Sequence, residues 1–297
     1  MAAERPSDVA AELVAWHRSA RQRTLELVAG LDEAQLMGPR LAIVNPMRWE
    51  VGHVAWFQEY WVLRRARGEA PIRRDADSLY DSFRVAHDTR WDLPLPSVAE
   101  TLEYAEDVFD RVLTRLRSRE PTAEETYFHR LAVFHEDMHD EAFTYTRQTL
   151  GYPSPDFADA GPSAPPGAEA ATGDVEVPGG RFSLGASEDL PFVFDNEKWG
   201  HEVEVPRFRI ARAAVTNAEF ADFVAAGGYR QAKLWSEDGW AWKEAARAVA
   251  PVYWRPESGG RWQRRDCRAC DIGFPDRSVG DGDGELQCHP DHWGHGK

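Results

Sequence analysis

Apolar positions recur at helical spacing in four stretches of the first half of the chain. From Asp8 to about Val28, Val9, Leu13, Trp16, Ala20 and Leu27, with the following Leu31, form a stripe that Gly30 interrupts. Beyond Pro46, Trp49, His53, Trp56, Phe57, Tyr60 and Leu63 line one face until Gly68. Ser97 and Glu100 make a capping box for a third helix, with Val98, Leu102, Ala105, Phe109, Val112 and Leu116 inward. Thr122 and Glu125 open the fourth in the same way, and Gly151 followed by Pro153 stops it. Its apolar face carries Phe128, Leu131, Ala132, His135, His139, Ala142, Phe143, Thr146 and Leu150. Short connections join the outer pairs, while residues 69–96 have no sustained period. This spacing predicts a four-helix bundle with a long crossover between its second and third helices.

The pattern then changes. Residues 153–173 are rich in Pro, Ala, Gly and Ser and read as an extended linker. VEVPGGRFSLG and HEVEVPRFRIARAAV alternate as half-buried strands do, and Thr216 with Glu219 caps a short helix closing at Gly227 and Gly228. Trp235, Trp240, Trp242, Trp254 and Trp262 suit packing in a loop-rich core. The expected fold class is therefore a helical bundle over 1–152, a linker over 153–173 and a mixed α/β domain over 174–266. Residues 267–297 abruptly change composition and have no apolar period, as a frameshifted or truncated tail would.

Composition narrows the partners. At 297 residues and 42% hydrophobic content the chain can bury two cores. A formal charge of −15 argues against nucleic acid or an anionic membrane as the main partner, despite local basic clusters such as Arg64, Arg65 and Arg67, and favours a small-molecule substrate. No apolar run approaches the roughly 20 residues of a membrane span, and the N-terminus lacks the layout of a signal peptide. A cytoplasmic monomer is expected. All three cysteines lie beyond residue 266, so no disulfide framework is available and any thiol chemistry must use a substrate thiol. A zinc knot from Cys267, Cys270, Cys288 and His289 is conceivable, but the spacing between its halves is unremarkable.

Two imidazoles one turn apart on an apolar face admit two readings. Each is a core histidine bonded to a backbone carbonyl, or both aim at one metal ion. His53, inward on the second helix, is a candidate third ligand. Three neutral imidazoles leave positions open on the metal, as a catalytic site requires. HEDMH is not the zinc-protease motif, because Asp137, Asp140 and Glu141 crowd Glu136 and no downstream third ligand follows. Arg84, His87 and Arg90 in the long connection form either a solvated loop or a carboxylate-binding rim, since guanidinium presents a fork that matches a carboxylate.

With these histidines in place, the chain resembles the nonheme-iron sulfoxide synthases of ergothioneine formation and their selenoneine synthase relatives. The first half is similar to their DinB-like bundle. Residues 175–262, notably FVFDNEKWGHEVEVPRFRIARAAVTNAEFADFVAAGGY and LWSEDGWAW, resemble their formylglycine-generating-enzyme (sulfatase-modifying-factor) domain, a C-type-lectin-like fold. The resemblance implies an Fe(II) cofactor held by His53, His135 and His139. It also implies O2-dependent bonding of sulfur or selenium to C2 of hercynine, a trimethylated histidine, from a thiol or selenosugar donor. YDSFRVAHDTRW, LPLP and FHEDMH look closer to the selenoneine branch. Met138 stands where the sulfur branch often has an imidazole-binding Gln, and Arg84 and Arg90 are expected to hold a substrate carboxylate or polar donor group. A later family segment, with an active-site tyrosine in the sulfur branch, has no counterpart here, so an inactive truncated remnant is one alternative. A divalent-metal thiol transferase of DinB type is the other.

Overall fold

A computed structural model describes residues 8–66, 68–158, 172–256 and 262–264. Arg67, most of the expected linker and the tail with all three cysteines lie outside the described residues. The chain divides into two units, one made of residues 1–159 with 190–196 and the other of 160–189 with 197–297.

In the first unit, α1 (Asp8–Val28), α3 (Met47–Gln58), α5 (Val98–Ser118) and α6 (Ala123–Leu150) form the predicted bundle, α1 packing on α6 and α3 on both α5 and α6. The sequence-coded ends hold. Ser97 with Glu100 and Thr122 with Glu125 form reciprocal capping boxes, and Gly151 closes α6 in the left-handed region at φ 72°. A short helix that periodicity did not indicate, α2 (Glu33–Met37), has its own Asp32–Gln35 box. The expected second helix is not uniformly α: after Gln58 it continues as a π-helix over Glu59–Arg65. The long crossover carries α4 (Ala76–Tyr80) and a 3₁₀ turn at His87–Thr89.

The buried face of α6 is rotated from the one the apolar pattern predicts. His129, Ala132, Val133, Glu136, Asp140, Phe143 and Arg147 are buried, whereas Phe128, Leu131, His135, His139 and Leu150 are only half-buried. The cause is a polar interior supplied by the neighbouring helices. Arg21 Nε donates to Glu136 at 2.7 Å, and Thr24 donates to Asp140 at 2.7 Å. His17 Nε2 lies 3.0 Å from His129 Nδ1. Buried polar groups persist only when paired or hydrogen-bonded, and these are. Val9 and Trp16 of α1 are correspondingly displaced outward, and His17, Arg21 and Thr24 take their place inside.

Residues 190–196 return to the bundle. Phe192 packs on Tyr127 and Phe134, with ring centroids 5.1 and 4.9 Å away, and Arg130 donates to the Pro191 carbonyl at 2.6 Å. These residues thus belong with the first unit although they lie within the expected 174–266 domain.

The second unit has strands β1 (Asp174–Val177), β2 (Gly180–Leu184), β3 (His201–Val205), β4 (Phe208–Ala211), β5 (Trp254–Pro256) and β6 (Trp262–Arg264). They pair antiparallel as β1–β4, β2–β3 and β5–β6, with α7 (Asn217–Ala225) and α8 (Glu237–Ala246) between. Thr216 and Glu219 cap α7 as the sequence implies. The strands are less covered than their alternation suggests. Phe182, Leu184, Phe208 and Ile210 are all exposed.

Candidate metal centre

His53 sits midway along α3, and His135 and His139 lie one turn apart on α6, where the two helices pack. Their ring centroids are 5.0 Å (His53–His135), 4.9 Å (His53–His139) and 4.6 Å (His135–His139) apart, and one ligand nitrogen from each lies within 4.8 Å of the others. The three rings that the sequence singles out thus lie close together, although the pair on α6 lies beside the core rather than in its centre.

Each ring is fixed by what surrounds it. His53 Nδ1 donates to the Tyr80 carbonyl at 2.7 Å, which leaves its Nε2 as the free lone pair. That carbonyl is positioned by a close approach: a Cβ at Gly52 would meet Tyr80 Cε1 at 2.2 Å, so only glycine lets the Tyr80 ring lie against α3. His53 stacks on Trp49 (4.7 Å, 10°), and His135 stacks on Phe57 (3.6 Å, 5°). Burial, with the neighbouring His139 as second cause, drives the pKa of His53 and of His135 well below the usual imidazole value. That shift favours the neutral imidazole, the form with a lone pair to offer a metal ion.

The site has unused polar atoms. Nδ1 of His135 and of His139 and Oε2 of Glu50 are buried without a hydrogen-bond partner. Glu50 Oε1 approaches His139 Nδ1 at 3.4 Å, outside hydrogen-bond geometry, and accepts from Asn45 Nδ2 at 2.8 Å. Converging imidazole nitrogens beside a buried carboxylate are the donor set of a divalent transition-metal ion, and the residues fit one.

The other expected site residues divide. Arg90 reaches the centre's outer layer: its guanidinium lies 3.9 Å above the Trp49 ring on which His53 also stacks, and Nη1 donates to Asn45 Oδ1 at 2.6 Å. Its Nε is buried without a partner, and burial lowers its pKa. His87 is tied to the Val44 carbonyl at 2.7 Å. Arg84 is exposed and paired with Asp81 at 3.1 Å. Met138 projects outward from α6 between the two histidines, 51% exposed. Sequence reasoning missed Glu50 and Asn45; the available signal was a carboxylate three residues before His53, on the same helical face.

A family model of the DinB superfamily matches residues 17–146, and a sulfatase-modifying factor enzyme 1-like domain matches residues 161–271. The chain belongs to the family that joins these two domains. It is 35% identical over 243 residues to a hercynine oxygenase of Mycolicibacterium smegmatis, covering 80% of this chain and 56% of that protein. A hercynine oxygenase of Mycolicibacterium thermoresistibile is 37% identical over 252 residues, covering 83% and 55%. A formylglycine-generating enzyme of Streptomyces coelicolor is 41% identical over a stretch of 78 residues, 26% of this chain and 24% of that one. The chain spans little more than half the length of the hercynine oxygenases it matches. No helix among the described residues is long and apolar enough to cross a membrane.

Proposed function

We propose that this protein is an Fe(II)- and O2-dependent enzyme that bonds sulfur or selenium to the imidazole ring of hercynine. The observation that carries the reading is the convergence of His53, His135 and His139 on one point, in a chain similar over four-fifths of its length to hercynine oxygenases. Bound Fe(II) supplies electrons for O2 and a positive centre for a thiolate or selenolate. The protein's contribution is positioning. Neutral imidazoles hold the ion while leaving positions open, and Trp49 and Phe57 fix two of the rings by stacking. Arg90, with its unpaired buried Nε, is the best-placed group of the crossover to receive a substrate carboxylate. Met138 cannot donate a hydrogen bond to an imidazole, so the contact that the sulfur branch often draws from a Gln has no counterpart at this position.

The test is anaerobic Fe(II) loading, then O2 uptake and mass spectrometry of hercynine with a selenosugar, cysteine or γ-glutamylcysteine. One iron per chain, O2 consumption and a product in which hercynine, having lost its C2 hydrogen, is joined to the whole donor through sulfur or selenium with O2 as the oxidant are expected, all lost in His53→Ala. Zinc retention with thiol transfer and no O2 uptake would replace this reading by a thiol transferase. Iron uptake without turnover on any donor would leave a metal-binding protein only.

A further inference from the structure

The carboxylate beside His139 has no role in the ligand triad, yet its position is unusual. Glu50 is 1% exposed, so its carboxyl group has lost nearly all contact with water. Oε1 accepts from Asn45 at 2.8 Å, Asn45 in turn accepts from Arg90 at 2.6 Å, and Oε2 has no partner. No cation touches it directly among the described residues. The nearest ring is His139, whose Nδ1 is 3.4 Å away and itself lacks a partner. A buried carboxylate and a buried ring N–H left facing one another are each costly alone and satisfy each other when the imidazole's other nitrogen is drawn onto a cation.

We infer that Glu50 is the positioning residue of the metal centre: it accepts a hydrogen bond from the Nδ1–H of His139 and so commits Nε2 of that ring to the ion. Asn45 and Arg90 hold the carboxylate from behind. Arg90 is thereby linked to the centre through Asn45, as well as through the Trp49 ring it shares with His53. Tyr80 does for His53 with a backbone carbonyl what Glu50 does for His139 with a charge. The inference rests on the metal-centre reading above.

Two measurements on the full chain separate this role from a structural one. Anaerobic titration with Co(II), read by its visible absorption, gives affinity and ligand field without turnover. Thermal unfolding in chelator gives stability with no ion bound. Glu50→Ala is expected to weaken Co(II) about 10–100-fold, the range found for outer-layer partners of ligating histidines. Glu50→Gln, which keeps shape and loses charge, should weaken it less and shift the absorption bands, and Glu50→Asp should recover part of the affinity. In chelator, Glu50→Gln should unfold at the same or a higher temperature than the unaltered chain, because it puts a neutral amide in place of a buried carboxylate whose Oε2 has no partner. Affinity and chelated stability therefore move in opposite directions. A Glu50→Ala affinity within twofold of the unaltered chain, or Glu50→Gln lowering both quantities together, would overturn the inference. Equal Co(II) binding by the unaltered chain and His53→Ala would instead sink the metal-centre reading itself.

Discussion

The two units solve the same problem with different success. The first fills its interior with large apolar side chains such as Trp49, Tyr80, Phe143 and Leu116 and still accommodates Arg21, Glu136, Asp140 and His129 in that interior. The second has comparable apolar residues, yet among its described residues the large side chains that become buried are Tyr229 and Trp254. Its paired strands leave Phe182, Leu184, Phe208 and Ile210 facing outward. A bundle of long helices covers each apolar stripe with a neighbour, so it has room inside for polar groups that specify one arrangement. Two-stranded ribbons cover nothing by themselves. The candidate metal centre lies in the unit that can hold a buried polar group in a fixed place.

The contrast is sharpest at buried pairs. Arg21→Met leaves Glu136 buried without its guanidinium and also removes the donor to the Ala105 carbonyl at 2.8 Å. Breaking one side of such a pair is expected to cost about 3–5 kcal/mol, read by denaturant unfolding of the full chain. A loss under about 1 kcal/mol would mean that the polar interior of the bundle is hydrated and no different from a surface.

A smaller effect is expected from acid. Burial lowers the pKa of His129 to about 4, and that of His17, which faces it, well below its usual value. The folded protein binds these protons less readily than the unfolded chain. Stability from His129 is complete above the unfolded value of 6.5, declines as pH falls from there, and is fully lost below about 4, and the His17 contribution falls in the same direction. His129→Gln should flatten that decline by up to about 3 kcal/mol, measured in chelator so that the ligand histidines differ in neither sample. An unchanged pH profile would refute the buried, neutral assignment.

Next in size is Gly52→Ala. The new methyl would strike the Tyr80 ring, which is fully buried and has nowhere to swing, and a cost of about 1–3 kcal/mol is expected. Because the Tyr80 carbonyl orients His53, metal affinity should fall with it. Lost stability with unchanged affinity would show that the carbonyl does not set the ring.

Much of this was legible in the chain. Apolar spacing and caps located α1, α3, α5 and α6, and the histidines at one-turn spacing on α6 pointed to the candidate centre that the structure groups with His53. What remained hidden has a common cause. The rotated face of α6 depends on Arg21, Thr24 and His17 arriving from α1, and a polar residue reads as outward until its partner is known. Likewise Glu50 reads as a solvated charge in the sequence, and only the packing of α6 against α3 puts His139 beside it. The π-helical stretch from Glu59 follows from tertiary demands: Glu59 is fully buried and accepts from Tyr104 at 2.6 Å and from the Ile72 amide at 3.0 Å, partners no local pattern reveals.

The smallest expected effect is the most direct probe of the second unit. Arg181 and Glu202 pair across the β2–β3 ribbon at 3.2 Å with side chains 76% and 70% exposed, a geometry in which water and salt screen the attraction. Arg181→Ala should therefore change stability by less than about 0.5 kcal/mol, as most surface substitutions do, in the same unfolding experiment that registers Arg21→Met. The residue shares its ribbon with Phe182 and Leu184, so it also reports on whether those apolar groups meet water. A loss above about 1 kcal/mol would require the pair to lie in a lower dielectric than an open ribbon provides. The exposed strands would then be covered in solution by another part of this chain or by a second copy, and the difference between the two units would be one of assembly, with no difference in how their sequences encode a core.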